Sequence, residues 1–151
     1  FTLDTAQIGG VDSTVRKTEV YMEADSKLYV MEKLMTHDSQ TAVSDMTVEM
    51  NGAGSSAQIV SRSVAKGNSV QTFHPIAIGN ALCHAHVQCD SIIMDKAQIS
   101  SIPEINARDI DAQIIHEAAI GRINNEQILK LRTFGMTEEE AEAVIIEDFL
   151  A

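Results

Sequence analysis

The chain has no tryptophan, only 4% aromatic residues and only two cysteines. A core built without large rings has to be aliphatic and finely divided. Cys83 and Cys89 stand too few residues apart along an extended segment for the chain to turn back and bridge them easily, and there is no CxxC pair, so a disulfide framework and a self-contained cluster site are both unsupported. No signal peptide and no long apolar run is present, which leads us to expect reduced thiols, a cytoplasmic setting and no membrane partner. Positive charge is scarce as well: 11 Lys and Arg stand against 22 Asp and Glu, a net charge of -11. A phosphate backbone needs a basic face, so nucleic acid is not an expected partner. No glycine-rich loop runs into Lys-Ser or Lys-Thr, and Ser55-Ser56 and Ser61-Arg62-Ser63 lie outside any nucleophile elbow, which leaves nucleotide hydrolysis unsupported.

What is present is length and alternation. With 151 residues, 44% of them apolar, the chain can bury roughly 70% of its unfolded surface in one domain. Phe1 is not an initiator methionine, so a processed product or a piece of a longer polypeptide is expected. From Thr14 to Ala118 the pattern has period two, as in Thr18-Glu19-Val20-Tyr21-Met22 and Lys27-Leu28-Tyr29-Val30-Met31, broken by Gly- and Asp-bearing turns. Asn51-Gly52, between two such runs, reads as a hairpin-like turn. Short aliphatic strands with small residues between them suit a narrow, layered interior, and period two alone leaves roll, sandwich and solenoid open. After Gly121 the period changes. Asn124 reads as an N-cap, with Ile128, Leu131 and Phe134 at helical spacing before Gly135. Thr137 and Glu140 read as the capping box of a second helix with an apolar stripe of Ala141, Val144, Ile145 and Phe149. The expected division is a β unit over 1–121 and a helical hairpin over 122–151.

The chemistry-bearing residues lie in two runs. Alternation from Leu82 to Asp90 places Cys83, Ala85, Val87 and Cys89 on one face, the apolar one, and His84, His86, Gln88 and Asp90 on the other. A thiol packed among Ala85 and Val87 is either an inert core residue or a protected soft ligand. His84-Ala85-His86 is a rival pair, because imidazoles two apart on a strand project side by side, and the stretch has a partial likeness to the first cupin motif. In the later run His116 shares the apolar side with Ile114 and Ala118, while Glu117 goes with Gln113 and Ile115. Thiolate, imidazole and carboxylate together form a ligand set for iron, zinc or iron–sulfur clusters.

From about Gly52 onward the sequence resembles the SufB/SufD family of iron–sulfur cluster assembly proteins. The likeness is carried by Ser61-Arg62-Ser63-Val64-Ala65-Lys66-Gly67, Gln88-Cys89-Asp90-Ser91-Ile92-Ile93-Met94, Pro103-Glu104-Ile105, His116-Glu117-Ala118-Ala119-Ile120-Gly121-Arg122-Ile123, Glu126-Gln127, and Leu131-Arg132-Thr133-Phe134-Gly135-Met136-Thr137-Glu138-Glu139-Glu140-Ala141. It implies a mainly β protein, a right-handed parallel β-helix followed by two C-terminal helices. It implies a scaffold rather than an enzyme, carrying a transient iron–sulfur cluster. A SufC-type ABC ATPase would dock on the helices, a second SufB- or SufD-type subunit or a second copy would pair with the β-helix, and a sulfur donor protein would feed it. By the same resemblance Cys89 matches the sulfur-acceptor and ligand cysteine, with His116 and Glu117 as further ligands that complete the set across a dimer, so that Cys89 and His116 read as halves of a site completed between subunits. The alternatives are a SufD-like structural subunit without a cluster and a cupin-like metal protein using His84 and His86.

Overall fold

The computed structural model describes residues 1–151. Ten strands alternate between two sheets: β1 (Thr2–Ile8), β2 (Ser13–Met22), β3 (Lys27–Thr36), β4 (Thr41–Met50), β5 (Ser55–Ala65), β6 (Val70–Gly79), β7 (Cys83–Ile93), β8 (Gln98–Ser101), β9 (Glu104–Ala107) and β10 (Ala112–Gly121). One sheet runs β1-β3-β5-β7-β10; the other runs β2-β4-β6, with β8 and β9 sharing the far side of β6. Every pairing is parallel. Thr2 pairs Tyr29, Lys27 pairs Ser56, Ser56 pairs His84 and His84 pairs Gln113, so the chain repeats in steps of 27, 29, 28 and 29 residues. The fold is a parallel β-solenoid of about four turns, the architecture that the resemblance implied.

The period-two pattern creates this shape because alternate residues of each strand turn inward, and outward ones are buried where another element covers them, as Ile146 covers Val64. Leu28 and Val30 on β3, Met46, Val48 and Met50 on β4, Ala57 and Ile59 on β5, and Ala85 and Val87 on β7 meet in one cluster that fills the space between the sheets. The corners stack as the strands do. Asn51-Gly52 is such a corner and not a hairpin turn: β4 pairs β2 and β6, whereas β5 pairs β3 and β7. A Cβ on Gly52 would sit 1.8 Å from the Ala24 backbone nitrogen of the corner one turn earlier. The glycine is there for close approach between turns.

Beyond Gly121 the chain forms α1 (Asn125–Thr133) and α2 (Glu138–Leu150). Asn124 caps α1 through the Glu126 N–H, and Thr137 with Glu140 forms a complete capping box on α2. The apolar stripe of α2 is phased differently from the sequence reading, since Ala141 and Ile146 are its buried residues and Val144 faces outward. Ile146 packs with Val64 of β5 and Met94, flanked by Ile92 and Phe149, so the second helix lies on the wall of the solenoid at the far ends of β5 and β7. Arg62 of β5 also donates to the Phe149 carbonyl at 3.4 Å.

Candidate functional site

Parity along β7 is as the sequence indicates: Cys83, Ala85, Val87 and Cys89 are buried, and His84, His86, Gln88 and Asp90 lie on the outer side. Register then defines two interior columns. Leu3, Val30, Ile59, Val87 and His116 stack through five successive strands. Beside it run Thr5, Glu32, Ser61, Cys89 and Ala118. His116 thus takes the place of the next aliphatic residue in a stack, one turn beyond Val87. Its ring reaches diagonally to the neighbouring column, where Nε2 stands 3.4 Å from Cys89 Sγ.

The environment holds both groups neutral. Burial pushes the Cys89 thiol up to about 11; the nearby Ser101 hydroxyl pulls the other way, and the charges of Asp90 and Glu32 add to the rise. His116 is shifted below the ordinary histidine value, first by burial and then by His86 on the other side of the wall. A neutral imidazole beside a protonated thiol fits an S–H···N contact. Ionising such a thiol at pH 7 costs on the order of 5 kcal/mol, so the resting pair is unreactive. At pH 8 iodoacetamide is expected to label Cys89 at least about 200-fold more slowly than a free cysteine, with the rate rising about tenfold per pH unit toward pH 11. Peptide mapping by mass spectrometry reads this, and a plateau near pH 8 or 9 contradicts it.

As ligands the pair is well spaced. With bonds of about 2.3 Å to sulfur and about 2.05 Å to nitrogen, a 3.4 Å separation subtends about 103° at a shared metal, near tetrahedral. No helix, charge or Gly-rich loop is needed to hold it; two strands in register suffice.

Glu117 is not part of this pair. It lies on the exposed outer face of β10, where its Oε2 is 3.2 Å from His86 Nε2. The structure therefore brings together Cys89 with His116, and His86 with Glu117, on opposite sides of one wall. His84, exposed on the same face as His86, joins neither, and the parallel solenoid is not the double-sheet jelly roll of a cupin.

Sequence reasoning missed Glu32. It is 2% exposed inside the solenoid, its Oε2 accepting from Ser44 at 2.9 Å and from Arg16 at 3.3 Å, while Oε1 has no hydrogen-bond partner in the protein. It borders the same narrow internal space as Ser61, Ser101 and Cys89. The signal was available: Leu28, Val30 and Leu34 fix the inward parity of β3, and Glu32 shares it.

Comparison with known proteins settles the family. The SUF system FeS cluster assembly SufBD core domain matches residues 2–149. The chain belongs to the SufBD family. Among curated relatives, an iron–sulfur cluster assembly SufBD family protein of Methanocaldococcus jannaschii is 29% identical over 99% of this chain and 47% of its own. A SufBD family protein of Methanothermobacter thermautotrophicus is 34% identical over 69% of this chain and 26% of its own. A third, of Pyrococcus horikoshii, is 30% identical over 89% of this chain and 44% of its own. The chain spans about half the length of the longest-matching of these relatives, or less. The Cys89–His116 pair bridges two successive turns of the solenoid, at β7 and β10.

Proposed function

We propose that this SufBD chain is a scaffold, without enzymatic activity of its own, on which iron–sulfur clusters are assembled as transient cargo. Cys89 is the sulfur acceptor or thiolate ligand and His116 the second ligand; Glu117, expected as a further carboxylate, faces the other side of the wall and does not join them. The observation that carries the reading is the 3.4 Å approach of Cys89 Sγ to His116 Nε2. Thiolate suits iron, and an imidazole ligand leaves a cluster labile enough to pass on.

Sulfur acceptance is thiol–persulfide exchange. The Cys89 thiolate attacks the outer sulfur of a donor protein's persulfide, a new S–S bond forms at Cys89, and the donor leaves as its thiolate. The Cys89 proton has first to leave, and neutral His116 is the base within reach. Both cysteines are free thiols, which fits the reducing cytoplasm. No helix is long and apolar enough to cross a membrane.

Pairing with a second SufB- or SufD-type subunit, or a second copy, is supported by the open end of the solenoid. β10 is paired only to β7, and Ile105, Ile110, Ile115 and Ile120 are exposed on the strands and corner of that end. An unpaired edge with apolar neighbours is a surface that another chain covers. Docking of a SufC-type ATPase is assigned to the helical hairpin, where Leu129, Phe134 and Val144 are exposed.

Anaerobic reconstitution of the chain with ferrous iron and sulfide tests the reading. The wild type is expected to develop visible sulfur-to-iron charge-transfer absorbance, and His116→Ala to lose its cluster to a chelator at least about tenfold faster. Equal loss rates would remove His116 from the ligand set.

A further inference from the structure

Adjacent residues on one strand serve opposite sides of the solenoid wall, and the outer side has a donor pair of its own. We propose that His86 and Glu117 hold a divalent transition-metal cation on the outer face of the β7–β10 wall, at a site separate from the Cys89–His116 pair. This goes beyond the scaffold reading and does not depend on Cys89 binding sulfur or iron.

The geometry is that of a chelate. His86 Nε2 and Glu117 Oε2 are 3.2 Å apart. A cation at about 2.1 Å from each would subtend about 100°, between the tetrahedral angle and the right angle of an octahedron. It takes the place of the hydrogen between the two groups, the neutral imidazole then carrying its one N–H on Nδ1. His86 is half-buried against the wall and Glu117 is exposed, so one ligand is held by its surroundings and the other is free to adjust.

Gln88 supplies a third donor. It stands beside Glu117 in register and follows His86 on the same face of β7. Its amide nitrogen donates to Asp90 Oδ2 at 2.7 Å, which leaves the carbonyl oxygen for a cation. The net charge of -11 concentrates cations at the surface. One imidazole nitrogen with oxygen donors selects ferrous iron, zinc, cobalt or manganese over calcium, magnesium or cuprous copper. His84, on the neighbouring outward position, has no acidic partner and is left out.

Cobalt(II) reports the ligands it meets. In an anaerobic titration of the intact chain at pH 7, the first equivalent is expected to give weak visible d–d bands without the near-ultraviolet thiolate-to-cobalt band. His86→Ala and Glu117→Gln are each expected to weaken this binding about tenfold or more, while His84→Ala and Cys89→Ser leave it unchanged. Far-ultraviolet circular dichroism checks that each variant is folded. The proposal is overturned if the first equivalent develops a thiolate band that vanishes in Cys89→Ser, or if His86→Ala binds cobalt as the wild type does. Failure of cluster reconstitution with cobalt binding intact would count against the scaffold reading alone.

Discussion

Cys89→Ser is expected to leave the solenoid folded and to cut the cluster absorbance of the reconstituted chain by more than tenfold. The replacement nearly keeps the side chain's volume, and the Ser61 neighbour in the same interior column shows that a hydroxyl is tolerated there. What it removes is the soft donor. A serine oxygen beside His116 is a poor ligand for iron that carries sulfide, and it cannot accept a sulfane sulfur. Mass spectrometry after incubation with a persulfide donor gives a second readout, a gain of one sulfur on the Cys89 peptide that is absent from the variant. Glu117→Gln is expected to keep that gain, because Glu117 faces the other side of the wall. Undiminished cluster absorbance in Cys89→Ser would end the assignment of this residue.

Gly52→Ala is expected to be among the most destabilising single methyl additions in the chain. Its Cβ would meet the Ala24 nitrogen at 1.8 Å and the Glu23 carbonyl carbon at 2.2 Å, both backbone atoms. Backbone cannot rotate aside as a side chain does, so two stacked corners have to separate. The cost is about 3 kcal/mol or more, equivalent to a fall of about 10 °C in the thermal midpoint. In an isolated turn with no positive φ the same substitution would be nearly neutral or favourable. Thermal melts followed by circular dichroism decide it, and a midpoint within about 2 °C of the wild type would contradict the stacked-corner explanation.

The Gly52 case also shows where sequence reading stops. A corner and a hairpin use the same Asn-Gly chemistry, and they differ only in which strands pair, information held some 28 residues away. The same distance hid the repeat. Val30, Ile59, Val87 and His116 occupy equivalent places in successive turns, yet one of the four is a polar ring, so no residue-by-residue echo survives. Parity, by contrast, is local. Leu82 to Asp90 announced the inward direction of Cys89, and Gln113 to Ala118 announced that His116 and Glu117 part company. The diagonal reach of His116 to the sulfur depends on register between β7 and β10 within one chain, whereas the family resemblance pointed to a pair completed between two subunits. The phase error on α2 has a similar origin: Val144 and Ile146 are both apolar, and the wall at Val64 and Met94 selects between them.

Because ligand identity on β10 is set by odd and even position, the corner from Arg108 to Asp111 acts as a counter. One residue inserted there, with the strand slipping by one, would carry Glu117 inward beside Cys89 and turn His116 out toward His86. A thiolate–imidazole pair would become a thiolate–carboxylate pair without any change in the strands' own sequences. Related chains with corners of different length at this point would then present different ligands from the same residues, and the count of the loop would have to be read before the motif.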